Sequence, residues 1–502
     1  MLTRFLKKQG MSTYSKVLQR ANISPNVLDT QYAVRGKLVL RSLEHEKRLK
    51  SGDETLPFKS IVACNIGNPQ QCGQKPLTFP RQVLALVNCP TLLESEHVGK
   101  LFPTDAIQRA TKYIEEISGG IGAYSHSKGV DIVRQEVAAF LEKRDGFPAD
   151  PEALYLTDGA SPGIQRTLSM LIKDKRCGVM IPIPQYPLYS AAITLTGGTQ
   201  VPYFLNEESC WSTKQEELLR SVSRAREDGT EIKAMAVINP GNPTGQCLSW
   251  DDMEGIVSFC HSENIVLLAD EVYQENIWTD TNPFHSFKKV VRTMEAQGKI
   301  PAGELELLSY HSVSKGFLGE CGRRGGYMEC VNIDDGAEEE LYKLSSLNLC
   351  SNLVGQLAVG LMVNPPSEGD ESHVQYVSEK NAILSSLKRR ARLLVDALNN
   401  LEGVTCQESQ GAMYAFPKIT LPQGAISAAK KLNETPDNYY CLKLLDSTGI
   451  VVVPGSGFGQ EEHTFHFRTT ILPEEDEIQE VIDRMQVFHA TFMESHNTLS
   501  SL

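Results

Sequence analysis

The segment Ser312-Val313-Ser314-Lys315-Gly316 sets a lysine between hydroxyls and a glycine, directly after the apolar run Leu305 to Tyr310. A lysine delivered at the end of a buried strand loses solvation, so its pKa falls and the neutral, nucleophilic amine becomes accessible. That is the state needed for Schiff-base chemistry with an aldehyde. Taken alone, the segment also fits a lysine that snorkels to the surface. Three further segments change the balance. Asn239 to Gly245 (NPGNPTG) is turn-rich and can fix the Asn242 side chain over a small pocket; an ordinary loop is the plainer reading. Asp270-Glu271-Val272-Tyr273 follows the apolar run Ile265 to Ala269. An aspartate there can pair with a protonated pyridine nitrogen and raise its pKa, although by itself a helix cap or sheet-edge carboxylate would suffice. Asp158-Gly159-Ala160-Ser161-Pro162 reads as a strand leading into a helix, with Pro162 in the first turn. Helix N-terminal N–H groups suit an anion, and Ser312 with the Arg323-Arg324 pair can complete a phosphate cradle. Together the four segments match one molecule bearing an aldehyde, a phenolic oxygen, a ring nitrogen and a phosphate.

The elements that must hold these groups follow from the hydrophobic pattern. Strand and helix signals alternate from about residue 130 to 350, predicting an α/β layer with a mostly parallel sheet. Each apolar run ends in a polar cluster at its carboxyl end, where open α/β sheets place ligands. Pro365 to Ser372 (PPSEGDES) reads as a hinge. Beyond it, apolar positions Ile383, Leu387, Leu394, Leu398 and Leu401 predict a long amphipathic helix, with Lys388 to Arg392 (KRRAR) as its solvated face. Strand-like segments around Ala412 to Ile419, Gly449 to Val453 and Thr464 to Thr469 then suggest a smaller α+β domain. The expected division is an N-terminal arm over 1–60, a large domain over 61–365 and a small C-terminal domain over 366–502.

Bulk properties bound the function. The 502 residues are 41% hydrophobic and 22% charged, enough apolar content to exclude disorder over most of the length. A net charge of -13 argues against nucleic acid as a partner. No apolar run reaches the length of a membrane span. The twelve cysteines form no CxxC pair and no zinc-ligand grouping with His, which predicts free thiols and no metal. Gly455-Ser456-Gly457-Phe458-Gly459 lacks dinucleotide-binding spacing and reads as a tight turn. The first twenty residues carry Arg4, Lys7, Lys8, Lys16 and Arg20 with no acidic residue, as mitochondrial presequences do; a basic unstructured end fits equally. The cytoplasm is the expected location, with the mitochondrial matrix as the alternative, and Ser500-Ser501-Leu502 only loosely resembles a peroxisomal signal.

The chain resembles the fold-type I pyridoxal-phosphate aminotransferases from about Gln31 to about residue 490. The resemblance is carried by Asn65 to Pro69 (NIGNP), Gly122 to Gly129 (GAYSHSKG), Ile183 to Tyr189 (IPQYPLY), the NPGNPTGQ loop, Asp270 to Gln274 (DEVYQ) and Lys315 to Tyr327 (KGFLGECGRRGGY). It implies pyridoxal 5'-phosphate on Lys315, with Asp270 holding the ring nitrogen, Tyr273 and Asn242 the phenolic oxygen, and Tyr186 stacked on the ring. Ala160, Ser161, Ser312, Ser314 and Arg324 would hold the phosphate; family spacing offers Arg323 instead. Arg468 would clamp the substrate α-carboxylate, and Gly67 would let the backbone approach it. Tyr124 would reach the phosphate of a neighbouring subunit, making the enzyme a homodimer with shared active sites. Within the family the alanine-type branch is the strongest match, implying L-alanine and 2-oxoglutarate as substrates in a ping-pong cycle. Glutamate–glyoxylate exchange is the alternative, and a lyase or synthase of the same fold a remoter one. A non-catalytic effector sensor would need an added DNA-binding module that the N-terminal arm does not offer.

Overall fold

A computed structural model of the chain describes residues 16–32 and 36–498. The basic cluster Arg4 to Lys8, the motif residues Ala33 to Arg35 and the terminal Ser500 to Leu502 lie outside the described residues. Seven strands form the central sheet: β1 (Leu154–Thr157), β2 (Cys177–Ile183), β3 (Thr199–Phe204), β4 (Glu231–Ile238), β5 (Val266–Asp270), β6 (Leu307–Ser312) and β7 (Gly326–Val331). Their spatial order is β1-β7-β6-β5-β4-β2-β3. β2 to β6 pair in parallel, while β7 runs against both β6 and β1. The expected α/β fold with a mostly parallel sheet is what forms.

The strands are near-continuous apolar runs because helices cover both faces; every residue of β1, β5, β6 and β7 is buried. Register then lines up their ends. Ile238 pairs with Asp270, Asp270 with Tyr310, and Ser312 and Thr157 both face Gly326. The carboxyl ends of β1, β4, β5 and β6 therefore share one rim. There the DGASP, NPGNPTG, DEVY and SVSK segments leave the sheet.

The C-terminal part has its own apolar core, which includes Leu387, Leu444, Phe467 and Ile482. It is built on helices α3 (His373–Asn399), α4 (Pro436–Thr448) and α5 (Glu475–Thr498), which follow α1 (Lys37–Lys50) and α2 (Ala160–Leu171) in the chain. Short strands Tyr414–Ala415, Phe467–Thr470 and Val453–Pro454 form an antiparallel sheet with the middle one central. The N-terminal segment joins this core: Leu38 and Val62 belong to it, and Val62–Ala63 pairs in parallel with Ile450–Val451. On α1, Arg41 and His45 both reach Asp446 of α4, at 3.0 and 2.7 Å. Gly455 to Phe458 forms a short 3-10 turn, as expected of that glycine-rich stretch. Among the described residues no helix is long and apolar enough to cross a membrane, and no group of three or more His, Cys, Asp and Glu could hold a metal ion.

The basic cluster on α3 departs from expectation. Arg389 stays exposed and pairs with Glu475 at 2.6 Å, but Arg390 is buried. Its guanidinium donates to the carbonyls of Leu472 and Pro473, at 2.6 and 2.8 Å, just before α5 begins. A pattern of charges cannot register that a neighbouring chain reversal needs donors. Arg390→Ala is expected to lower unfolding stability by about 2–4 kcal/mol, because it strands two buried carbonyls. Arg389→Ala should leave the melting curve nearly unchanged; thermal unfolding of the two variants checks the contrast.

Candidate active site

At the shared rim a cavity of about 310 Å³ opens between the sheet and the C-terminal part. Every site residue expected from the sequence lines it except Tyr124, which lies outside with 78% of its surface exposed. A larger cleft, about 920 Å³, lies between Phe58 and helices α4 and α5 and contains none of them.

Lys315 sits one turn beyond β6. Gly316, at φ +66°, lets the chain double back there, and the buried Asn276 grips that glycine at both ends. Asn276 Oδ1 accepts from Gly316 N–H at 2.8 Å and its Nδ2 donates to the Gly316 carbonyl at 3.3 Å. So held, Lys315 Nζ donates to the Gly67 carbonyl at 2.5 Å. A Cβ on Gly67 would lie 2.1 Å from the Tyr414 hydroxyl and 2.8 Å from Lys315 Nζ, so only glycine fits.

Asp270 ends β5 in full burial. Its carboxylate accepts from the Tyr189 hydroxyl at 3.3 Å and the Val272 N–H at 3.4 Å. Burial pushes the carboxyl from its ordinary 3.8 up to about 6, against those two hydrogen bonds and the nearby Lys315. Tyr273, also buried, donates to the Tyr414 hydroxyl at 3.1 Å, and burial raises its phenol well above the usual range.

Arg468 comes from the central strand of the C-terminal sheet and is buried. Its guanidinium lies between the Tyr414 and Phe458 rings, 4.2 and 4.7 Å from their centroids. One terminal nitrogen donates to Asn242 Oδ1 at 3.0 Å, the other to the Asn65 carbonyl at 2.5 Å. Its Nε finds no hydrogen-bond partner among the described residues, so a buried cationic donor is left for a ligand.

Helix α2 begins at Ala160 behind Gly159, whose φ is +86° and which supplies no side-chain cap. The guanidinium of Arg324 folds over this glycine; a Cβ there would meet Arg324 Nη2 at 2.4 Å. Arg324 donates to the carbonyls of Asp158 and Cys321, both at 2.9 Å, and more weakly to Ser314 Oγ at 3.4 Å. Arg323 instead faces Glu320 at 3.6 Å, so of the adjacent pair Arg324 enters the cavity.

Among the lining or supporting residues that escaped the sequence reading are Tyr32, Asn65, Tyr189, Asn276 and Tyr414. Tyr32 meets Tyr186 hydroxyl to hydroxyl at 3.1 Å. Asn276 and Tyr189 sit within or beside motifs already singled out, but Tyr414 lies in an ordinary strand far along the chain. Only the fold brings it here.

These residues fit pyridoxal phosphate. An uncapped helix N-terminus with an arginine, a buried carboxylate and an amine-bearing turn stand around one cavity, opposite a buried arginine with an unused donor. Residues 94–485 match the model of the class I and II aminotransferases. The chain belongs to this family. It is 53% identical over 489 residues to the probable mitochondrial alanine aminotransferase of Dictyostelium discoideum, covering 96% of this chain and 91% of that one. It is also 51% identical over 482 residues to glutamate–glyoxylate aminotransferase 1 of Arabidopsis thaliana, covering 96% and 98%. Among solved structures, an alanine aminotransferase from Pyrococcus furiosus superposes with a TM-score of 0.72 at 23% identity, covering 93% of this chain and all of that one, which establishes the shared fold.

Two outcomes follow for the family's site in this chain. Gly67→Ala should lower kcat/KM by about 100-fold and also lower the melting temperature, because the added Cβ displaces both Lys315 Nζ and the Tyr414 hydroxyl; steady-state kinetics beside a melting curve measures both. The folded protein holds the Asp270 proton more tightly than the unfolded chain does. Ionising it therefore costs stability as pH rises from about 4 through about 6. In cofactor-free protein Asp270→Asn should raise unfolding free energy by up to about 3 kcal/mol above about pH 7, and by much less near pH 4. Denaturant titrations at the two pH values measure the difference.

Proposed function

We propose that the protein binds pyridoxal 5'-phosphate through Lys315 and exchanges amino groups between L-alanine and 2-oxoglutarate. The observation that carries this is the convergence of Lys315, Asp270 and Arg468, from three separate segments, on one cavity. Bound pyridoxal phosphate supplies an aldehyde that joins to nitrogen and a ring that takes up the electrons released at the substrate α-carbon. Arg324, the N–H groups of Ala160 and Ser161, and the hydroxyls of Ser312 and Ser314 hold the phosphate. Asp270 holds a proton-bearing ring nitrogen, which compensates its own burial. Tyr273 and Asn242 would hydrogen-bond the cofactor's phenolic oxygen, and Tyr186 would lie against its ring. Arg468 orients the substrate by its α-carboxylate, with the backbone at Gly67 close against it. With the group bound, Lys315 Nζ would be the base that takes the proton from the substrate α-carbon.

The exposed Tyr124 is read as a phosphate contact to a second copy of the chain, which makes the working unit a homodimer. In this reading residues 1–60 form the arm, 61–365 the cofactor-binding domain and 366–502 the small domain; helix α1 of the arm packs against the small domain, whereas Tyr32 meets Tyr186 of the large one. A cytoplasmic or a mitochondrial location is compatible with all of this.

Excess L-alanine added to protein loaded with pyridoxal phosphate should bleach the visible absorbance band, and 2-oxoglutarate should restore it. Lys315→Ala should abolish turnover. A clear preference for glyoxylate in the recovery step would assign the glutamate–glyoxylate activity instead, and the absence of any visible band would overturn the cofactor assignment.

A further inference from the structure

Tyr414 stands among the charged groups of the cavity with its hydroxyl directed at them. It shares with Lys315 Nζ the small space that a side chain on Gly67 would occupy. Its oxygen already accepts a hydrogen bond from Tyr273. The ring is fixed on both sides, by the Arg468 guanidinium over one face and by Tyr273 edge-on, 6.0 Å between centroids. The backbone is fixed as well: Tyr414 pairs with Thr470, and its carbonyl accepts from Ser409 Oγ at 3.1 Å.

We propose that Tyr414 is a positioning residue for Lys315: its hydroxyl oxygen offers a second acceptor to the nitrogen that donates to the Gly67 carbonyl, keeping Nζ beside Gly67 and favouring the form of that nitrogen that bears a proton. The inference rests on the proposed role of Lys315 in holding the cofactor. Titratable and charged groups facing Tyr414 are Lys315, Arg468, Tyr273, Cys321 and, more remotely, Tyr186. Burial alone would push the Tyr414 phenol up. The two cations and the hydrogen bond from Tyr273 outweigh it, so the phenol sits below its ordinary range. An oxygen in that state is a strong acceptor, and Lys315 is the mobile donor beside it. The interaction makes no bond other than N–H···O.

The test compares the unaltered protein with Tyr414→Phe, which keeps the ring on Arg468 and removes only the hydroxyl. Both are loaded with pyridoxal phosphate, and the visible band of the lysine-bound cofactor is titrated with pH. Loss of the acceptor should move the midpoint down by about one pH unit and lower kcat about tenfold, with KM for the amino acid changing less than about threefold. Equal melting temperatures of the two proteins would show the fold intact. Superimposable midpoints in two well-folded proteins would overturn the role of Tyr414 and leave that of Lys315 standing. No visible band in the unaltered protein would overturn both.

Discussion

A carboxylate enclosed by protein must either find a positive partner or hold its proton, and Asp270 confronts that choice at the end of a central strand. It is 4% exposed, and its two hydrogen-bond donors offset only part of the cost of burial. Much of the architecture can be read as the setting that makes such a group tolerable. Parallel strands end together, so the loops that follow can bring Lys315 and the Asn242 loop to it from neighbouring positions on the rim. A folded chain that keeps such a group forgoes stability in its empty form, and a ring nitrogen bearing a proton is the chemistry that would return it.

The second half of the cavity comes from a different core. Arg468 enters from the antiparallel sheet of the C-terminal part, yet its hydrogen bonds run to Asn242 and Asn65, outside that sheet. The Tyr414 and Phe458 rings lie within cation–π distance of the guanidinium and help to enclose it. The two cores thus meet across polar contacts inside the cavity, where a ligand that joins the same groups would draw them together.

What the sequence made legible was local. The apolar runs Leu305 to Tyr310 and Ile265 to Ala269 became β6 and β5, and the run Ala234 to Ile238 before NPGNPTG became the buried end of β4, each within a few residues of its expected limits, because a buried parallel strand has a pattern few alternatives share. The turn glycines and the helix beginning at Ala160 were equally visible. Tyr414, Asn276 and Asn65 were not, since each acts through tertiary neighbours that spacing does not encode. Tyr414 sits in a two-residue strand whose partner lies more than fifty residues away. The packing of Leu38 and Val62 into the C-terminal core escaped for the same reason, as did the burial of Arg390. A charged residue's destination depends on which carbonyls lack donors, and those belong to another part of the chain.

One short stretch ties these observations together. Val62 and Ala63 are laced to the C-terminal strand Ile450–Val451, the carbonyl of Asn65 receives Arg468, and the carbonyl of Gly67 receives Lys315. Six consecutive residues therefore carry a strand pairing at one end and the amine's acceptor at the other. A shift of the C-terminal strand would therefore pull on the same short stretch that receives Arg468 and Lys315 Nζ.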